Sequence, residues 1–306
     1  MARHHHPESE KRLVVLLDAL GDVHEAEPAT RAQVERVHEP RYVDRLASLD
    51  RETWLDGDTI GDSTSFEAAL LAVGCALAAV ERGGFALARP PGHHALPDRA
   101  MGFCLLDNVA VAARHAQDVL GVERVAIVDW DVHHGNGTAE IFRRRDDVLF
   151  ASIHQGGIFP GTGAVGDAGS GPGEGYTINL PVPAGSEEEV WLSLLEHIVL
   201  AAAAEFEPQL VLISAGFDAH RADPLAGCRL EASSFARMAC QVRDAAARWA
   251  APVGAVLEGG YDLGALADST VATMAALAGE GEAVSAAPEQ ILTPRAASHV
   301  GHYWSL

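Results

Sequence analysis

The sequence predicts an α/β fold, a parallel β-sheet in a single domain with helices on both faces. Three observations carry this expectation. Short continuous apolar runs recur along the chain, as strands buried on both faces require. Helical segments alternate with them. Polar clusters fall at the carboxyl ends of those runs, the edge at which open parallel sheets bind ligands. The 306 residues suit one unit of this class. An apolar fraction of 48% supplies a large core. No repeat or linker divides the chain, so 1–306 reads as one domain.

The elements follow in order. Residues 65–81 (SFEAALLAVGCALAAVE) read as a buried helix, capped by Thr64 or Ser65 and ended by Gly83-Gly84. Residues 105–119 read as a second helix. Strands are expected at RVAIVDW (124–130), VLFASIH (148–154) and YTINLPV (176–182). A long amphipathic helix follows over 187–205, after Gly185-Ser186. QLVLISA (209–215) and VGAVLEG (253–259) are two further buried strands, with helices at about 233–249 and 263–279.

Composition limits the function. Lys and Arg total 22 against 43 Asp and Glu, a formal charge of −21. A surface that acidic repels nucleic-acid phosphates and anionic lipid, and favours cationic ligands such as lysine side chains or polyamines. No apolar run approaches the roughly 20 residues of a membrane span, and histidines and charges stand where a signal peptide would be apolar. Cys75, Cys104, Cys228 and Cys240 form no CxxC pair. They read as reduced thiols of a cytoplasmic, bacterial protein.

Four segments carry chemistry. VDWDVHHGNGT (128–138) follows a strand and offers Asp129, Asp131 and His133 on one side of an extended segment. Carboxylate and imidazole are both zinc ligands. ISAGFDAH (213–220) offers Asp218 as a third ligand; alone, an aspartate there is more often a helix or turn cap, and it gains weight from the first cluster, while His220 reads as solvent-exposed or peripheral. RPPGHHA (89–95) offers His93 and His94 for acid–base work, since imidazole titrates near neutrality; a surface loop with two idle histidines is the plain alternative. LEGGYDL (257–263) presents Tyr261 after two glycines, either as a packed phenol or as a hydrogen-bond donor to an oxyanion. Together they describe metal-assisted hydrolysis of an amide or ester.

RPPGHHA, MGFC (101–104), DWDVHHGNGT (129–138), SIH (152–154), FPGTG (159–163), SAGFDAH (214–220) and EGGY (258–261) occur in this order. The set resembles the histone deacetylase superfamily, with its arginase–deacetylase fold. The HHGNGT and MGFC variants resemble its class II and bacterial amidohydrolase branch. The likeness runs from His6-Pro7-Glu8 to the carboxyl end. It implies Asp131, His133 and Asp218 as ligands of one zinc ion, and His94 as general base and then acid, oriented by Asn136. It implies His93 as an electrostatic partner bonded to Asp129, and Tyr261 as oxyanion stabiliser. Gly102, Phe103 and Phe159 would line a tunnel for the acyl-amine stem. A structural potassium ion is implied near Asp129, Asp131, His133, Ser152 and the Ile153 carbonyl. Family members have a short strand before the HPE segment, so this chain is expected to lack that first N-terminal strand. The His4–His6 run reads as native.

The implied activity is a zinc-dependent deacetylase acting on acylated amines such as acetyl-lysine. Acetylpolyamine or metabolite hydrolysis and non-catalytic binding of acyl-amines are the alternatives, and a homo-oligomer is open. Polyamine specialists carry an acid at the tunnel mouth, where this chain has Leu225. A two-metal ureohydrolase would need a carboxylate two residues after His133, where Gly135 stands.

Overall fold

The computed structural model describes residues 6–280 and 286–306. Two residue pairs, β1 (Thr53–Trp54) and β2 (Ile60–Gly61), form a small antiparallel ribbon. The other strands are β3 (Gly84–Ala86), β4 (Val125–Asp129), β5 (Val148–Gln155), β6 (Thr177–Val182), β7 (Leu210–Ala215) and β8 (Val253–Leu257). They make one six-stranded sheet in the order β3-β8-β7-β4-β5-β6, parallel at every pairing.

Both faces of that sheet are buried. Along β4, Ala126 and Val128 join one apolar core while Val125 and Ile127 join the other. The same alternation holds in β7, where Val211 and Ile213 face the first core and Leu210 and Leu212 the second. A strand sandwiched this way has no solvated face, which is why its sequence is a continuous apolar run.

The helices are α1 (Lys11–Leu20), α2 (Arg31–Val34), α3 (Pro40–Ala47), α4 (Ser65–Arg82), α5 (Asn108–Leu120), α6 (Asn136–Phe142), α7 (Glu188–Leu194), α8 (Leu200–Phe206), α9 (Ala232–Arg248), α10 (Leu263–Leu277) and α11 (Leu292–Val300). A π-turn over Leu195–Val199 joins α7 to α8, so the amphipathic 187–205 segment is one continuous rod. Helices α3 to α6 supply the second core, and α7 to α11 the first.

Several expectations are corrected in detail. Neither Thr64 nor Ser65 caps α4 with its side chain. The Asp62 carboxylate takes the Thr64 N–H at 2.9 Å and both hydroxyls, because a carboxylate one turn earlier accepts more donors than a hydroxyl can. α5 starts at Asn108 rather than 105, where Asp107 accepts the Ala110 N–H at 2.9 Å. The Gly83-Gly84 pair does end α4, but Gly84 also opens the edge strand β3. The expectation of a missing first strand falls on residues 1–5, outside the described residues.

β4 lies between β5 and β7, so the chain order reverses there and opens a crevice at the carboxyl ends of the strands. Asp129 is in register with Ser152 of β5 and Ser214 of β7, and Ala215 with Leu257 of β8. The loops after β4, β7 and β8 therefore leave the sheet side by side.

Candidate active site

Asp131, His133 and Asp218 meet in that crevice: one ligand atom from each lies within 4.8 Å of the other two. The backbone orients them. His133 N–H donates to Asp131 Oδ1 and Gly259 N–H to Asp131 Oδ2, each at 2.8 Å. Val132 N–H donates to Asp218 Oδ1 at 2.9 Å. Gly259 is required by space: a Cβ there would lie 2.2 Å from Asp218 Oδ2 and 2.5 Å from Asp131 Oδ2.

The electrostatics draw positive charge to one point. His133 Nδ1 faces Asp218 Oδ2 at 3.1 Å and Asp131 Oδ1 at 3.3 Å. Burial opposes charge on this imidazole, but the two carboxylates outweigh it and push its pKa up to about 10. Burial also works against ionisation of Asp131, yet His93 and His133 hold it well below the usual carboxylate range. Two carboxylates and one imidazole this close fit a divalent metal ion, which would take the place of the proton drawn to His133 and leave coordination positions for water and substrate.

The histidine pair lies against this group, with His93 and His94 both buried and their rings 4.0 Å apart. His93 Nδ1 donates to Asp129 Oδ2 at 3.0 Å. Burial opposes its charge, but Asp131 and Asp129 prevail and raise its pKa well above the ordinary value. His94 goes the other way. Burial, then the neighbouring His93 and His133, lower it well below the ordinary value. Its Nδ1 lies 2.8 Å from Asn136 Oδ1. The amide is oriented by its own nitrogen, which faces the His94 carbonyl at 3.5 Å and Met101 Sδ at 3.4 Å. With an acceptor on Nδ1, a neutral His94 carries its proton there and leaves Nε2 able to accept another.

Tyr261 completes the group. Its ring lies edge-on to Phe103 at 5.7 Å, and the Arg12 guanidinium sits 5.0 Å over its centroid. Burial, with Asp218 and Asp131 adding to it against the pull of Arg12, raises the phenol well above its ordinary pKa, so the hydroxyl keeps its proton and can donate it. Phe159 meets His94 edge-on at 5.1 Å and His133 at 6.3 Å. Gly102 fits between them at φ +58°, where a Cβ would lie 2.5 Å from the His94 ring and 2.9 Å from Phe159. The aromatic walls thus stand directly against the polar group. Leu225 is 37% exposed, and its N–H donates to Asp223, whose other carboxylate oxygen accepts the Tyr261 N–H. His220 turns to other partners: its Nδ1 accepts the Ala222 N–H at 3.1 Å and its Nε2 faces Glu231 at 3.7 Å.

Four further residues hold the site in place. Glu258, fully buried, accepts the Gly92 and His93 N–H groups at 2.6 and 3.1 Å. Arg12, also fully buried, donates to the carbonyls of Glu258 and Gly260. Asp56 and Thr59, beside the β1–β2 ribbon, accept the N–H groups of Gly102 and Phe103 at 3.1 and 2.9 Å. A carboxylate closing the apolar run 253–257 is a signal that points to Glu258. Nothing local marks Arg12, which reaches the site from 246 residues away.

A crevice that can hold a cation, accept a proton and donate one defines a hydrolase of the metal-dependent class. Residues 6–277 match the histone deacetylase domain. The chain is 42% identical over 274 residues to a histone deacetylase-like amidohydrolase of Pseudomonas aeruginosa, covering 83% of this chain and 71% of that one. It is 38% identical over 310 residues to histone deacetylase 10, chloroplastic, of rice (Oryza sativa subsp. japonica), covering 90% and 70%. The solved HDA15 HD domain shares the fold with a TM-score of 0.89 at 36% identity, covering 98% of this chain and 89% of that chain. This chain therefore belongs to the histone deacetylase family, and it is a hydrolase. Among the described residues no helix is long and apolar enough to cross a membrane.

Proposed function

We propose that this protein is a zinc-dependent deacetylase that hydrolyses the amide of N-acylated amines, acetyl-lysine in peptides or proteins foremost. The observation that carries the reading is the Asp131–His133–Asp218 donor set lying against a neutral, Asn136-bonded His94. Zinc at this set would polarise the acyl carbonyl and acidify a water. His94 Nε2 takes the proton of the attacking water and later delivers it to the departing amine. His93, held cationic by Asp129 and Asp131, keeps His94 from gaining charge early. The Tyr261 hydroxyl donates to the carbonyl oxygen as it becomes an oxyanion. Gly102, Phe103 and Phe159 confine the slender acyl-amine stem, and Leu225 stands at the rim.

Further parts of the reading have their own support. Asp129 and Ser152, paired across β4 and β5, support a structural potassium ion beside Asp131, His133 and the Ile153 carbonyl. Four unpaired cysteines support a cytoplasmic setting. A single six-stranded parallel sheet supports a single catalytic domain over 1–306.

The substrate is tested by turnover of zinc-loaded protein on an acetyl-lysine peptide and on an acetylpolyamine, with His94→Ala as control. A higher kcat/KM on the peptide, lost in the control, supports the reading. Preference for the polyamine moves the assignment to that subclass. Zinc bound with no turnover on either leaves an acyl-amine-binding protein.

A further inference from the structure

Every peptide of the strap that delivers Tyr261 is tied down. Arg12 donates to the carbonyls of Glu258 and Gly260. Gly259 N–H donates to Asp131, and its carbonyl accepts the Phe217 N–H at 3.0 Å. The last tie before the phenol is the Tyr261 N–H, which donates to Asp223 Oδ2 at 2.7 Å. The same oxygen lies 3.4 Å from the Asp262 N–H. The other carboxylate oxygen, Oδ1, accepts the Leu225 N–H at 3.0 Å.

Asp223 is 7% exposed. A buried carboxylate is costly unless its oxygens are satisfied, and here backbone N–H groups from two separate loops satisfy them. The bond to Leu225, two residues on, is an ordinary aspartate turn. The bond to Tyr261 spans 38 residues and serves no local turn. An asparagine could make either bond but not both, because its amide nitrogen would face an N–H donor.

We propose that Asp223 is a positioning residue for Tyr261: its carboxylate clamps the strap carrying the phenol to the rim loop carrying Leu225 and so sets where the hydroxyl points. This rests on the reading of Tyr261 as the oxyanion donor. Asp223 itself touches no reacting atom, and its effect passes through the tyrosine.

The test is a double-mutant cycle on the zinc-loaded full chain, with an acetyl-lysine peptide as substrate. Asp223→Ala, Asp223→Asn, Tyr261→Phe and the two double variants are assayed for kcat, KM and bound zinc. The clamp predicts that either Asp223 variant keeps zinc and loses kcat on the order of 10- to 100-fold, the scale of a misplaced catalytic group, with KM within about threefold. In the Tyr261→Phe background the same substitution costs less than about twofold, because the hydroxyl it positions is already gone. Should Asp223→Ala fail to fold, Asp223→Asn, isosteric and uncharged, carries the cycle. Losses that multiply in the double variant, a rise in KM alone, or loss of zinc would overturn the clamp. A normal rate in Tyr261→Phe would instead overturn the reading of the tyrosine. A slow Tyr261→Phe beside unimpaired Asp223 variants would overturn the clamp alone.

Discussion

The imidazole of His94 donates from Nδ1 to the side-chain oxygen of Asn136, 2.8 Å away and 42 residues further along the chain. An amide orients the ring without adding negative charge. A carboxylate in that place would stabilise the imidazolium and raise its pKa. Asn136→Asp is therefore expected to move the acid limb of the kcat/KM profile to higher pH by roughly one unit. The pH–rate profile of the two proteins checks this, and coincident acid limbs would detach Asn136 from the base.

A Cβ at Gly259 would lie 2.2 Å from Asp218 Oδ2 and 2.5 Å from Asp131 Oδ2, the carboxylates proposed to hold the metal. Gly259→Ala is expected to displace Asp131 and Asp218 and abolish zinc binding. The cost to the fold should be about 1–3 kcal/mol, as for other overpacked sites. Zinc content by elemental analysis, set beside the urea midpoint of the metal-free protein, separates the two effects.

Asp218→Ala should lose zinc and activity together. In wild-type protein, zinc held by Asp131, His133 and Asp218 would favour the folded state and is expected to raise Tm. In the variant, added zinc should leave Tm where it was. A zinc-dependent rise in the variant would show that the ion sits elsewhere.

The pH dependence of stability has one cleanly placed contributor. Asp107 is fully buried, and burial pushes its pKa up to about 7, against an unfolded value of about 3.9. The protonated form is favoured in the folded state, so its contribution is fully present below pH ~3.9 and is lost as pH rises toward 7. Asp107→Asn can still accept the Ala110 N–H and reach Thr138, so it keeps both contacts without ionising. The wild type should therefore lose stability relative to Asp107→Asn between about pH 4 and 7. Chemical unfolding at several pH values measures it, and parallel curves would contradict the assignment.

Much of this was readable from residues alone, for definite reasons. The strands β4, β5, β7 and β8 announce themselves because burial on both faces makes each a largely apolar run, and β6, at the sheet edge, shows the alternating pattern TINLPV. The ligand segments sit where those runs end, so their convergence follows from the sheet. β3 escaped because three residues opening on a glycine carry no pattern. α6 escaped because it begins inside HHGNGT, whose glycines read as a loop. Arg12 and Asp223 act on backbone groups distant in sequence, and a bond to a peptide leaves no mark on the partner's identity. That is why the histidine pair and Asn136 stood out in the sequence while Arg12 and Asp223 did not.

The most direct test of the central claim is zinc titration of metal-stripped protein, followed by acetate release from an acetyl-lysine peptide. The account predicts activity rising linearly to one equivalent of zinc per chain, with no rise in Asp218→Ala. In His94→Ala, zinc should bind without restoring turnover. Full activity in the stripped protein, or one equivalent of bound zinc with no acetate released from any acylated amine, would contradict it.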